Sequence, residues 1–167
     1  MSLDEIARDV LLRWKAHPIS MVRELFHAEP DPWQAEGLEV FPRVNRIAMK
    51  ACKGPGKTCL LAWLIWNFLL TRRRAKVAAT SITEDNLRDG LWAELAKWQG
   101  MSPLLTQAFT WSQTRIICNE MPAAWFAAAK TWPRTADPSA RRRRSPASTK
   151  TTRSSCSTRA ARCRKRL

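Results

Sequence analysis

The feature that most limits how this chain can fold is the segment Ala51-Cys52-Lys53-Gly54-Pro55-Gly56-Lys57-Thr58, set between two stretches of different character. Upstream, residues 46–50 form a short β-compatible run; downstream, Cys59 to Leu70 is an apolar stretch of helical length. The order is strand, small-residue loop, helix. Apart from Ala51 in place of the first glycine, the segment follows G-x-x-x-x-G-K-[ST], in which small residues let the backbone curl and aim its N–H groups at an anion. A helix that starts just after Gly56 adds the positive end of its dipole. Lys57 supplies a point charge and Thr58 a hydroxyl that can ligate Mg²⁺, so the spacing predicts a nucleoside triphosphate site with ATP and Mg²⁺ as ligands. Lys53, inside the loop, can reach the γ-phosphate or simply face solvent, and both readings stay open.

Trp33 and Gln34 lie about twenty residues ahead of this loop. A side-chain amide there can read both a donor and an acceptor on an adenine edge, and an aromatic beside it can stack on the base. The plainer reading is structural: Gln34, three residues after Asp31, completes a capping box, and Trp33 is core. The other tryptophans on helical apolar stripes, Trp14, Trp63, Trp66 and Trp98, read as core rather than as base-stacking groups.

Charge divides the chain in two. Of 29 Lys and Arg and 14 Asp and Glu, residues 141–167 hold eleven of the basic ones and none of the acidic ones, which leaves only +4 of the net +15 on residues 1–140. The tail reads as disordered, and by charge alone it would bind nucleic acid nonspecifically and in a salt-dependent way. With 167 residues and 45% hydrophobic content, the remainder is long enough for one domain with a core. Asp4, Glu5 and Asp9 replace the basic lead of a targeting segment, and the 59–70 run is too short to cross a bilayer. A cytoplasmic protein without a membrane partner is expected. The five cysteines include no C-x-x-C pair, which argues against zinc and against a disulfide framework, and His17 and His27 read as surface or cap residues.

Element by element, Ser2 and Glu5 form a capping box ahead of Leu3, Ile6, Val10, Leu11 and Trp14 on one helical face, and Pro18 ends that helix. An amphipathic piece with Val22, Leu25 and Phe26 follows, and Asp31 then caps a helix with Pro32 at its first position. Beyond the loop and its helix, residues 76–81 read as a strand, and Thr83 caps a helix through Trp98 that buries Leu87, Leu91, Leu95 and Trp98. Residues 114–118 and 124–128 are further strands, expected to pair. Strand and helix alternate, which implies a parallel α/β sheet with the phosphate-loop strand central. The expected organisation is a helical segment at 1–28, a partial P-loop NTPase domain at 29–140 and the basic tail at 141–167.

Hydrolysis at such a loop needs a second apolar strand ending in Asp, usually followed by Glu, to hold Mg²⁺ and orient the attacking water. The nearest run, Ile116-Ile117-Cys118-Asn119-Glu120, has no aspartate. Trp33-Gln34, the 51–58 loop and the segment 78–94 together resemble the ATPase half of a tailed-phage terminase large subunit, the motor that packs DNA into procapsids, over roughly residues 20–140. That resemblance implies double-stranded DNA and the procapsid portal as partners, a homo-oligomeric ring, and an acidic strand next in order.

The basic tail stands in that strand's place, and the genetic code offers a reason. If each hidden codon starts at the third base of a visible one, TCN serine leaves xTC and cysteine leaves xTG, so Ser154, Ser155, Cys156 and Ser157 conceal four apolar residues. Thr158 then allows Asp and an AGR codon at Arg159 allows Glu, while Ser148 to Thr152 decode as His, Glu, Asp and Tyr. The expectation is a frameshifted terminase ATPase part with no catalytic residue in frame, which binds Mg-ATP weakly and does not turn it over. A non-enzymatic nucleic-acid-binding protein that works through its basic tail is the competing class. Another P-loop fragment, a kinase or helicase, shares the loop but fits 78–94 less well.

Overall fold

A computed structural model describes residues 2–50, 52, 54–81 and 83–131. The chain divides into two units, Met1–Pro133 and Arg134–Leu167, and the second, which holds the basic tail and the expected frameshift boundary, lies outside the described residues.

Three short helices open the first unit. Helix α1 (Leu3–Ala16) starts at the anticipated capping box, in which Glu5 N donates to Ser2 Oγ at 3.2 Å and Ser2 N donates to Glu5 Oε2 at 2.7 Å. Pro18 then stands at the first turn of α2 (Pro18–Phe26), and His17 caps both helices at the junction. Left-handed His27, φ 50°, closes α2, and α3 (Pro32–Val40) follows with Asp31 as its N-cap. Met21, Val22 and Phe26 of α2 and Trp14 of α1 belong to the same core as the rest of the unit, so no boundary in the packing falls at residue 28.

Helix α4 (Lys57–Thr71) is the axis of that core. It is apolar on nearly every side, with Leu60, Ala62, Trp63, Leu64, Trp66 and Leu69 buried, which is the composition of a helix enclosed by neighbours. Its one polar interior group, Asn67, is fully buried and donates through Nδ2 to the Trp14 carbonyl at 2.8 Å, tying α4 to α1. Trp66 Nε1 donates to the Leu95 carbonyl at 3.3 Å and Trp125 Nε1 to the Leu69 carbonyl at 2.9 Å. The stripe tryptophans are thus core residues: Trp66 donates to a backbone carbonyl, Trp14 Nε1 and Trp98 Nε1 donate to the carboxylates of Glu24 and Glu94 at 2.9 and 2.8 Å, and Trp63 Nε1 has no acceptor among the described residues.

Strand β1 (Lys76–Ser81) forms where expected. The helix after it differs from the reading as one regular α-helix. Asn86–Trp92 is π-helical, with Ala93 N bonded back to the Arg88 carbonyl, and passes directly into α5 (Ala93–Met101). The wider turn shifts the buried stripe: Leu87 and Leu95 are buried as expected, but Trp92 takes the interior place expected for Leu91, which is half-buried. Trp92 Nε1 donates to the Ser112 carbonyl at 2.9 Å.

Helix α6 (Pro103–Ala108) and strand β2 (Phe109–Trp111) were not anticipated, whereas β3 (Arg115–Cys118) and β4 (Phe126–Thr131) correspond to the strands read at 114–118 and, shifted towards the C-terminus, at 124–128. The expected pairing of these two strands is present and antiparallel, with Ile116 opposite Ala127.

The sheet corrects the expectation of a parallel α/β sheet. Its order is β1-β4-β3-β2, and only β1 with β4 is parallel. The run 46–50 is not a strand of this sheet; its backbone forms no ladder among the described residues, although half-buried Ile47 and Met49 alternate with exposed Ala48 and Lys50 as in a strand. The alternation follows from sequence, but a ladder needs a neighbour, and β1 pairs only with β4. The architecture is therefore mixed α/β.

Candidate functional site

The loop is built by two glycines. Gly54 at φ 97° and Gly56 at φ 85° occupy the left-handed region that side chains avoid, which bends the chain sharply enough for α4 to begin at Lys57. Gly56 is also enclosed: a Cβ there would stand 2.7 Å from Gln34 Nε2 and 4.0 Å from Trp33 Cζ2. Gly56 is the N-cap of α4 and gives no side-chain cap, and the first turn holds no carboxylate. By helix geometry its leading N–H groups have no acceptor within the helix, so the loop faces a partial positive charge of the kind that favours anions.

Lys57, at the first helical position, turns back across the loop and donates from Nζ to the Cys52 carbonyl. Thr58 follows in the same turn and is half-buried. Ala51 and Lys53, the remaining loop residues expected to bind phosphate, lie outside the described residues.

Trp33 and Gln34 lie beside this loop at Gly56, and Gln34 is occupied structurally. Its side chain is buried, with 4% of the residue exposed; Oε1 accepts from Asp31 N at 2.9 Å and Nε2 donates to the Gly56 carbonyl at 3.2 Å. The capping box is thus formed, and an adenine edge would have only the second N–H and second lone pair of the amide. Trp33 is half-buried and shares a cavity of about 390 Å³ with Gly37, Val40 and the extended run Arg46–Lys50.

On the far side of α4's first turn, burial pushes the Cys59 thiol up to about 11, with the Glu94 carboxylate adding to the shift. The thiol stays protonated at neutral pH and is a weak nucleophile. No cluster of three or more His, Cys, Asp or Glu that could hold a metal occurs among the described residues. No helix among them is long and apolar enough to cross a membrane. Glu120, the nearest acidic residue to an apolar strand end, is exposed beyond β3.

Comparison with protein-family models, with curated proteins and with solved structures finds no match to this chain.

Proposed function

We propose that residues 51–58 cradle the phosphates of ATP, and that the chain derives from the ATPase part of a tailed-phage terminase large subunit whose acidic strand has been lost to a change of reading frame. The observation that carries this reading is the joint geometry of the loop: two left-handed glycines, an uncapped helix start at Lys57, and Gln34 and Trp33 against Gly56. Lys57 would leave the Cys52 carbonyl for the β- and γ-phosphates, Thr58 would supply one ligand to Mg²⁺, and Trp33 would flank the base. Without an aspartate on the metal and a glutamate on the water, neither is positioned for an in-line displacement.

Titration with a fluorescent ATP analogue and Mg²⁺ tests the proposal. Binding weaker than about 100 μM, equivalent to less than about 5.5 kcal/mol, is expected, and Lys57→Ala abolishes it. Equal affinity in the two proteins overturns the phosphate site. Steady ATP hydrolysis that disappears in Lys57→Ala overturns the loss of the acidic strand, as does a nucleotide sequence whose shifted frame lacks an apolar run ending in Asp and Glu. The competing reading, nucleic-acid binding through the basic tail, loses its ground if binding survives deletion of residues 141–167.

A further inference from the structure

The two faces of the sheet have different chemistry. Val77, Ala79, Ala127 and Ile116 point into the core shared with α4, so the alternate residues of each strand point the other way. On that opposite face the cross-strand row is Lys76, Phe126, Ile117 and Thr110, and the next row is Ala78, Ala128 and Arg115. Lys130 stands beside Thr80 in a third row. Lys76, Ala78, Thr80, Thr110, Arg115 and Lys130 are exposed, while Phe126 and Ile117 are half-buried and Ala128 is buried among them, so this face presents its charged and polar groups to solvent among the described residues.

No acidic residue of the described strands stands on it. Lys76, Arg115 and Lys130 form no ion pair among the described residues. In their midst is a half-buried aromatic ring: Arg115 Cζ lies 5.1 Å and Lys76 Nζ 5.9 Å from the centroid of Phe126. Lys130, four residues further along β4, carries the positive charge about 13 Å along the strand. Among the described residues this face offers one half-buried ring and three cations without an ion pair, and no carboxylate, which suits a ligand with alternating π-faces and negative charges that can slide between the ring and its two cations.

We propose that this open face of the sheet binds single-stranded nucleic acid, with one base on Phe126 and the adjoining phosphates on Lys76, Arg115 and Lys130. Single strands fit because their bases are free to leave the stack and lie on a ring, whereas a duplex offers such a surface only its phosphates. This site stands apart from the nucleotide loop and does not depend on it.

The test uses the full chain and a short fluorescein-labelled oligothymidylate, read by anisotropy across a salt series, with ultraviolet crosslinking and mass spectrometry to locate the bound strand. The expected results are a crosslink at Phe126 and, for the combined variant Lys76→Glu, Arg115→Glu, Lys130→Glu, binding weaker by about tenfold or more with a salt slope shallower by about 2, at roughly 0.7 for each phosphate no longer neutralised. Phe126→Leu, which keeps the apolar bulk, removes the crosslink and weakens binding while the thermal midpoint stays put. An unchanged affinity of the charge-reversed chain, crosslinks confined to residues 134–167, or equal affinity for a duplex of the same length overturns the proposal.

Discussion

Gly56 shows how much a single position can settle. Its φ of 85° excludes an ordinary side chain on backbone grounds, and a Cβ would also press on Gln34 Nε2 at 2.7 Å. Replacement by alanine has to distort the loop or displace the amide, with an expected cost of about 1–3 kcal/mol in urea unfolding. Gly54 has the same backbone requirement but nothing within 4 Å of its Cβ position, so Gly54→Ala should pay only the backbone part and cost less than Gly56→Ala. If the two variants melt alike, the contact with Gln34 contributes nothing.

Among the elements, α4 depends on one polar group. Asn67 Nδ2 satisfies the Trp14 carbonyl, while Asn67 Oδ1 has no partner among the described residues. Asn67→Ala should destabilise by about 1–3 kcal/mol, because a buried carbonyl loses its donor. Asn67→Asp should cost more, since a carboxylate cannot donate to that carbonyl and its charge would be buried. Thermal melts of both variants at neutral pH check the order.

Elements with local signals were legible: the Ser2–Glu5 and Asp31–Gln34 boxes, Pro18 as the stop of α1, Pro32 at a helix start, and the helix that begins after Gly56 all depend on neighbours in sequence. Illegible were features decided at a distance. Nothing local separates a π-helical turn at 86–92 from an α-helical one, and the phase change that buries Trp92 rests on the strand region around Ser112 accepting its N–H. Likewise, Gln34 as base reader and Gln34 as cap have the same sequence signature; only the position of the Gly56 carbonyl decides what its amide does here.

At the scale of the whole molecule, the run 46–50 is an unpaired, partly exposed segment among the described residues. It has the in-and-out alternation of a strand with no ladder among the described residues, and strands in that state recruit others. Amide exchange should therefore be fast at residues 46–50 and slow in α4 and β4, a contrast visible by mass spectrometry within the first seconds. Concentration-dependent association in light scattering is expected too, and Ala48→Lys, which adds a charge at an outward position, should suppress it. Protection of 46–50 comparable with β4 would show that the run already has a partner.

The carbonyl of Gly56 accepts from Leu60 N at 3.1 Å and from Gln34 Nε2 at 3.2 Å, so one oxygen joins α3 to the start of α4. Helix α3 is consequently joinery rather than ornament: whatever tightens or slackens the bend at residue 56 is transmitted to residue 34. A version of the chain begun after residue 43 would keep every letter of the loop and lose the bracket that holds it in shape.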